Sequence, residues 1–139
     1  MAPNTRIVKR GAQEPEDAAE LKLGDEFNDA GCLLVSEVQV LLNQRDQSLE
    51  SGNSMVYTKT LAHVSQFSRP LEEVTTIRSI LMREGDLFKP FEIAQIGNLL
   101  PKGAEEAKSL IPSLSKVDDD KLQGLLDELM VMKRGSDDL

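Results

Sequence analysis

Tryptophan is absent from the chain, and its only aromatic side chains are Phe27, Tyr57, Phe67, Phe88 and Phe91. So few rings argue against a platform on which single-stranded bases would stack, and they leave the core to aliphatic packing. The one cysteine, Cys32, excludes an intramolecular disulfide. The one histidine, His63, has Lys59 and Phe67 four residues to either side, so its helix face offers no second metal ligand. No glycine pair forms G-x-G, and no glycine-rich loop leads into Lys followed by Ser or Thr, which removes the usual phosphate cradles and with them nucleotide hydrolysis. No basic start joins an apolar run of signal-peptide or membrane-spanning length. The expectation is a soluble chain in a reducing compartment.

What the chain has in excess is acid: 24 Asp and Glu against 16 Lys and Arg, a net charge of −8. A protein whose main task was duplex binding would gather cations to neutralise phosphates. Its 139 residues suit one domain with a tail, large enough to bury about two thirds of the unfolded surface without staples.

Residues 1–13 hold Arg6, Lys9 and Arg10 and no acid, whereas 14–29 hold seven acids against Lys22 alone. Few apolar residues interrupt this start, and residues 1–15 read as a disordered tail. LKLGDEF then sets Leu21, Leu23 and Phe27 among charges, and Cys32–Val35 forms a short apolar run that can pair as a strand. Ser36 and Gln39 fit a capping box, with Val35 and Val40 as its staple. A helix carrying Val38, Leu41, Leu42 and Leu49 is expected to run to about Glu50 and stop at the SGNS glycine, Gly52.

Five further helices follow from the periodicity: about Met55–Phe67 with Tyr57, Leu61, Val64 and Phe67 on one stripe; Pro70 to Gly85 with Leu71, Val74, Ile77, Ile80 and Leu81; Phe91–Leu100; Ala104–Leu110; and a last one with Leu122, Leu125, Leu126, Leu129 and Met130 in register. Ser115 and Asp118 read as the cap and N3 acid of the last. LPKG joins the fourth and fifth. Ala104 and Ala107 permit close helix approach, Leu110 and Ile111 read as core, and Pro112 ends the helix. Gly97 costs roughly 1 kcal/mol of helix propensity against alanine, so a tight contact is expected there. The class is all-α, a helical bundle preceded by an arm with one short strand.

Candidate chemistry is thin. Asp118, Asp119 and Asp120 suggest a cation loop, but the glycine and glutamate positions of a calcium loop hold other residues, and three acids in a first turn complement the helix dipole. Cys32, in an apolar run, reads as a small buried hydrophobe rather than a nucleophile. Arg6, Lys9 and Arg10 read as a solvated tail, with contact to RNA or an acidic partner as the alternative. Met130 and Met132 read equally as core or as adaptable contacts. The feature beyond these is the apolar arm: an unpaired apolar strand beside water invites association, and a partner that accepts it by strand addition removes the hazard. An obligate binding subunit is the reading, with no enzyme activity, cofactor, metal, membrane or small-molecule substrate.

Three stretches carry a resemblance: EDAAELKLGDEFNDAGCLLVSEV at Glu16–Val38, FEIAQIGNLLPKGAEEAKSLIPSL at Phe91–Leu114 and LQGLLDELMVMKR at Leu122–Arg134. With a weaker middle, they resemble the family of the fourth-largest subunit of eukaryotic RNA polymerase II, the smaller stalk component. The resemblance implies an HRDC-like bundle over residues 53–139 and a partner-binding arm with first helix over 16–52. It further implies a non-catalytic subunit that pairs with the seventh polymerase subunit near the RNA exit region. That pair joins the polymerase core through the seventh subunit, acts in initiation and messenger RNA metabolism, in the nucleus and also the cytoplasm, and has indirect contact with nascent RNA open to it. The partner-facing set carried over is Leu21, Leu23, Phe27, Cys32, Leu33, Leu34, Val35, Val38, Leu41 and Leu42. Some fungal members hold a long charged insertion where this chain has ESGNS at 50–54, so functions of that insertion do not transfer. A free-standing HRDC-like nucleic-acid-binding module and an unrelated helical adaptor are the alternatives.

Overall fold

The computed structural model describes residues 15–44 and 54–137. The tail at 1–13, Leu49, Glu50 and Gly52 lie outside these residues. Among those described, six α-helices form: α1 Val35–Gln44, α2 Met55–Phe67, α3 Leu71–Met82, α4 Pro90–Leu99, α5 Ala104–Leu110 and α6 Asp119–Asp137, with short 3-10 turns at Ala18–Glu20, Gly85–Leu87 and Pro112–Lys116. The all-α class holds.

The expected strand at Cys32–Val35 does not form. The described residues contain only an isolated antiparallel bridge between Asp17 and Lys22, and the apolar run passes directly into α1. The cap also sits earlier than the Ser36–Gln39 spacing predicts. Glu37 accepts the Leu34 N–H at 2.7 Å and Asn98 accepts that of Val35 at 3.0 Å, so the orphan donors of the helix start are satisfied from there. Ser36 serves another end, its hydroxyl accepting the Arg69 N–H at 2.7 Å just before α3. At α6 the cap is Asp118 itself, which accepts the N–H groups of Asp120 and Lys121, while Ser115 lies in the preceding 3-10 turn.

α1 and α2 run antiparallel, tied by the Tyr57 hydroxyl donating to the Leu42 carbonyl and by Gln39 donating to Ser65. Ser54, just outside α2, accepts the Tyr57 N–H as its cap. Phe67, expected on the inner stripe of α2 with Tyr57 and Val64, is exposed. α1 also packs on α3, α3 on α4 and α6, and α5 on α6. Among the described residues one core forms, and its fully buried side chains include Leu34, Val74, Ile77, Leu81, Ile96, Ile111, Leu114, Leu122, Leu126 and Leu129. Ala104 and Ala107 turn inward as their size suggests, but Leu110 is exposed: the buried side of α5 holds Ala104 and Ala107 and continues into Ile111 just past the helix end, and Leu110 falls off it.

The LPKG corner is closed by α6. Gln123 accepts the Ala104 N–H at 2.9 Å and donates to the Lys102 carbonyl at 3.2 Å, supplying α5 with the cap that Gly103 lacks. Leu100 ends α4 in the left-handed region at φ 43°, its N–H bonded to Ile96. Burial of Leu100 keeps the chain there, against about 1–2 kcal/mol of local strain.

Candidate partner-binding surface

The arm reaches α1 through a series of local closures. Asp17 caps the 3-10 turn at Ala18–Glu20, and that turn lies against the one at Pro112–Lys116. Leu23 N–H bonds the Asn28 side chain at 2.8 Å, and Gly24 adopts φ 95°, a backbone open to glycine without strain. The bundle then grips the junction between arm and α1. Leu34 inserts against Gly97, which Ile77 also approaches, and the next residues, Val35 and Asn98, meet by hydrogen bond. From α3, Arg78 reaches three acceptors: Glu37 Oε2 from Nε at 3.0 Å, Glu37 Oε1 from Nη2 at 2.6 Å, and the Cys32 carbonyl from Nη2 at 3.0 Å. The fork geometry of the guanidinium suits this bidentate task.

Partial burial alone raises the Glu37 carboxyl, but the Arg78 hydrogen bonds, the Leu34 N–H and the Arg78 charge outweigh it and hold the group below its ordinary value. A depressed folded-state pKa stabilises the fold above the unfolded value, and the contribution disappears as pH falls through the folded one. The stability gap between wild type and Glu37→Gln should therefore be largest near neutrality and shrink below about pH 4. Urea unfolding at stepped pH measures it, and a gap independent of pH would exclude this clamp.

The ten residues expected to face a partner separate in the structure. Phe27, Leu33 and Leu41 are 60%, 49% and 53% exposed, whereas Leu34 is 1% exposed and belongs to this chain's own core. Leu21, Leu23, Cys32, Val35, Val38 and Leu42 are half-buried. Cys32 and Leu33 share a groove of about 530 Å³ with Glu37, Arg78, Met82 and Ile93. Leu34 and Val35 instead line a hollow of about 270 Å³ with Phe67, Gly97 and Asn98. Sequence reasoning missed Glu37, Arg78 and Asn98. The signal for Arg78 was its place four residues after Val74 and three before Leu81, at the edge of an apolar stripe where a cation needs a partner.

Among the described residues no group of three or more His, Cys, Asp and Glu is disposed to hold a metal, and no helix is long and apolar enough to cross a membrane. His63 is exposed and stacks obliquely on Phe67, and Asp118 is occupied as a helix cap.

By class the chain is a small helical bundle that pins an arm carrying the exposed Phe27 and Leu33. Residues 32–132 match the RNA polymerase Rpb4 family. The chain is 38% identical over 151 residues to DNA-directed RNA polymerase II subunit rpb4 of Dictyostelium discoideum, covering 92% of this chain and 96% of that one. It is 41% identical over 131 residues to the protein of the same name in Schizosaccharomyces pombe, covering 88% and 95%. DNA-directed RNA polymerase II subunit 4 of Arabidopsis thaliana is 36% identical over 135 residues, covering 88% and 96%. The chain belongs to the RNA polymerase Rpb4 family, that of subunit 4 of DNA-directed RNA polymerase II. An unrelated adaptor is thereby set aside. The family match begins at Cys32, so Leu21, Leu23 and Phe27 precede it.

Proposed function

We propose that this chain is a non-catalytic RNA polymerase II subunit that pairs with the seventh subunit. The pair forms a stalk beside the RNA exit region and supports initiation and messenger RNA metabolism, in the nucleus and also in the cytoplasm. The observation that carries this reading is the display of Leu33 and Leu41, two half-exposed leucines on an arm and helix gripped by their own bundle. Large exposed apolar side chains held in fixed positions suit an interface that is assembled rather than folded on contact. In this reading residues 16–52 supply most of the contact surface and the bundle holds it in shape. The net charge of −8 disfavours a free-standing nucleic-acid-binding module.

The test is co-expression with the seventh subunit, with mass measured by light scattering after size exclusion. A one-to-one complex is expected, and Leu33→Asp with Leu41→Asp should weaken it at least tenfold without altering the thermal melt of the free chain. Leu34 is unsuited to this test, because its truncation would damage the core. A folded chain that ignores the partner would overturn the proposal.

A further inference from the structure

The groove of about 530 Å³ beside Leu33 has a neutral lining on an acidic chain. Among the described residues that line it, the only charged ones are Glu37 and Arg78, and they neutralise each other in a bidentate pair; the remainder includes Cys32, Leu33, Met82 and Ile93. Met82 is 55% exposed at the end of α3, although nothing in the helix pattern requires a large apolar side chain there. One wall of the groove is the arm itself, and Arg78 fixes that wall by holding the Cys32 carbonyl.

The geometry points to this groove as a preformed seat for an apolar anchor side chain of the partner, with Arg78 as the residue that positions its outer wall. This rests on the pairing proposed above and deepens it. The argument is complementarity: an anchor seats best in a concave, uncharged site whose edges are already ordered, because ordering flexible walls subtracts from affinity. A charged anchor would find no unpaired counterion in the lining, whereas an apolar one meets Leu33, Met82 and Ile93. The groove also adjoins Leu33, so occupation would extend the same contact surface.

Cys32 provides the test, since it lines the groove and is the chain's single cysteine. Its alkylation by iodoacetamide, followed by mass spectrometry of the Cys32 peptide, should slow at least tenfold when the seventh subunit is bound. Met82→Glu should weaken pairing at least tenfold while leaving the melt of the free chain unchanged, and Met82→Leu should restore it. Arg78→Ala should speed Cys32 alkylation several-fold in the free chain and weaken pairing, with Arg78→Lys rescuing little because an ammonium lacks the fork. If the wild-type pair forms but Cys32 reacts at the free rate and Met82→Glu binds normally, the groove is overturned and the pairing stands. If Arg78→Ala changes neither alkylation nor affinity, the positioning role is overturned. If the wild-type chains do not pair at all, the parent reading fails, and the groove with it.

Discussion

Replacing Glu92 with alanine is expected to destabilise the fold by about 3 kcal/mol, lowering the melting temperature by roughly 10 °C for a domain of this size. Glu92 is fully buried on α4. Its carboxylate accepts from the Lys89 N–H at 2.8 Å, from the Ser113 hydroxyl at 2.6 Å and from Lys116 Nζ at 2.8 Å. One side chain thus caps α4 and ties it to the turn at Pro112–Lys116, against which the arm's own 3-10 turn lies. Truncation strands the buried Ser113 hydroxyl and one helix-start N–H, and it leaves a cavity as well. Lys116 is 40% exposed and can return to water, so the loss is smaller than that of breaking a wholly buried ion pair. Adding Ser113→Ala to Glu92→Ala should recover part of the deficit by removing the stranded hydroxyl. Urea unfolding of the two variants measures both effects, and a loss under about 1 kcal/mol for Glu92→Ala would mean that water replaces the network.

The same glutamate marks the limit of what the sequence makes legible. Periodicity reads the helices well: Met55–Phe67 and Ala104–Leu110 fall where the apolar spacing and, for the second, the following Pro112 put them. Helix propensity and spacing are local, and these segments obey local rules. Apart from the Leu34–Glu37 bond, the misplaced features depend on residues distant in the chain. Asn98 and Arg78 draw the start of α1 forward onto the arm, leaving Ser36 free to bind the backbone before α3. Cys32–Val35 looks like a strand because an apolar run has no period to distinguish a strand from a buried entry into a helix. Glu92 stands three residues after Lys89, the capping-box spacing, with Pro90 at the first helical position, which makes it readable as a cap, but nothing in FEIAQIGNLL foretells that Ser113 and Lys116 will close over it. For the candidate surface, exposure divides the leucines of the arm: Leu33 and Leu34 are neighbours in sequence, yet one faces solvent and the other completes the core.

Gly97→Val should be at least as damaging, about 3 kcal/mol, and its cause lies at the junction of arm and bundle. A Cβ on residue 97 would stand 2.6 Å from Leu34 Cδ2 and 3.3 Å from Ile77 Cγ2. Both neighbours are buried almost completely, so neither can swing into empty space. Alanine brings one methyl group and about 1 kcal/mol of helix propensity in its favour, so Gly97→Ala should settle near 1 kcal/mol of net loss as Leu34 gives way. Valine adds two methyl groups, forfeits most of the propensity gain and must expel Leu34 from its site. Leu34→Ala alone should cost about 2–5 kcal/mol through the cavity it leaves. Combining Leu34→Ala with Gly97→Ala should cost less than the sum, since the new methyl occupies part of the vacated space, and this non-additivity is the mark of direct contact. Because Leu34 anchors the segment that carries Cys32, Gly97→Val should also speed Cys32 alkylation in chains that remain folded. A Gly97→Val chain with wild-type stability and an unreactive Cys32 would show that the arm does not depend on this seat. The expected pair of changes would instead make the absent side chain of residue 97 the feature that lets the bundle hold its arm in place.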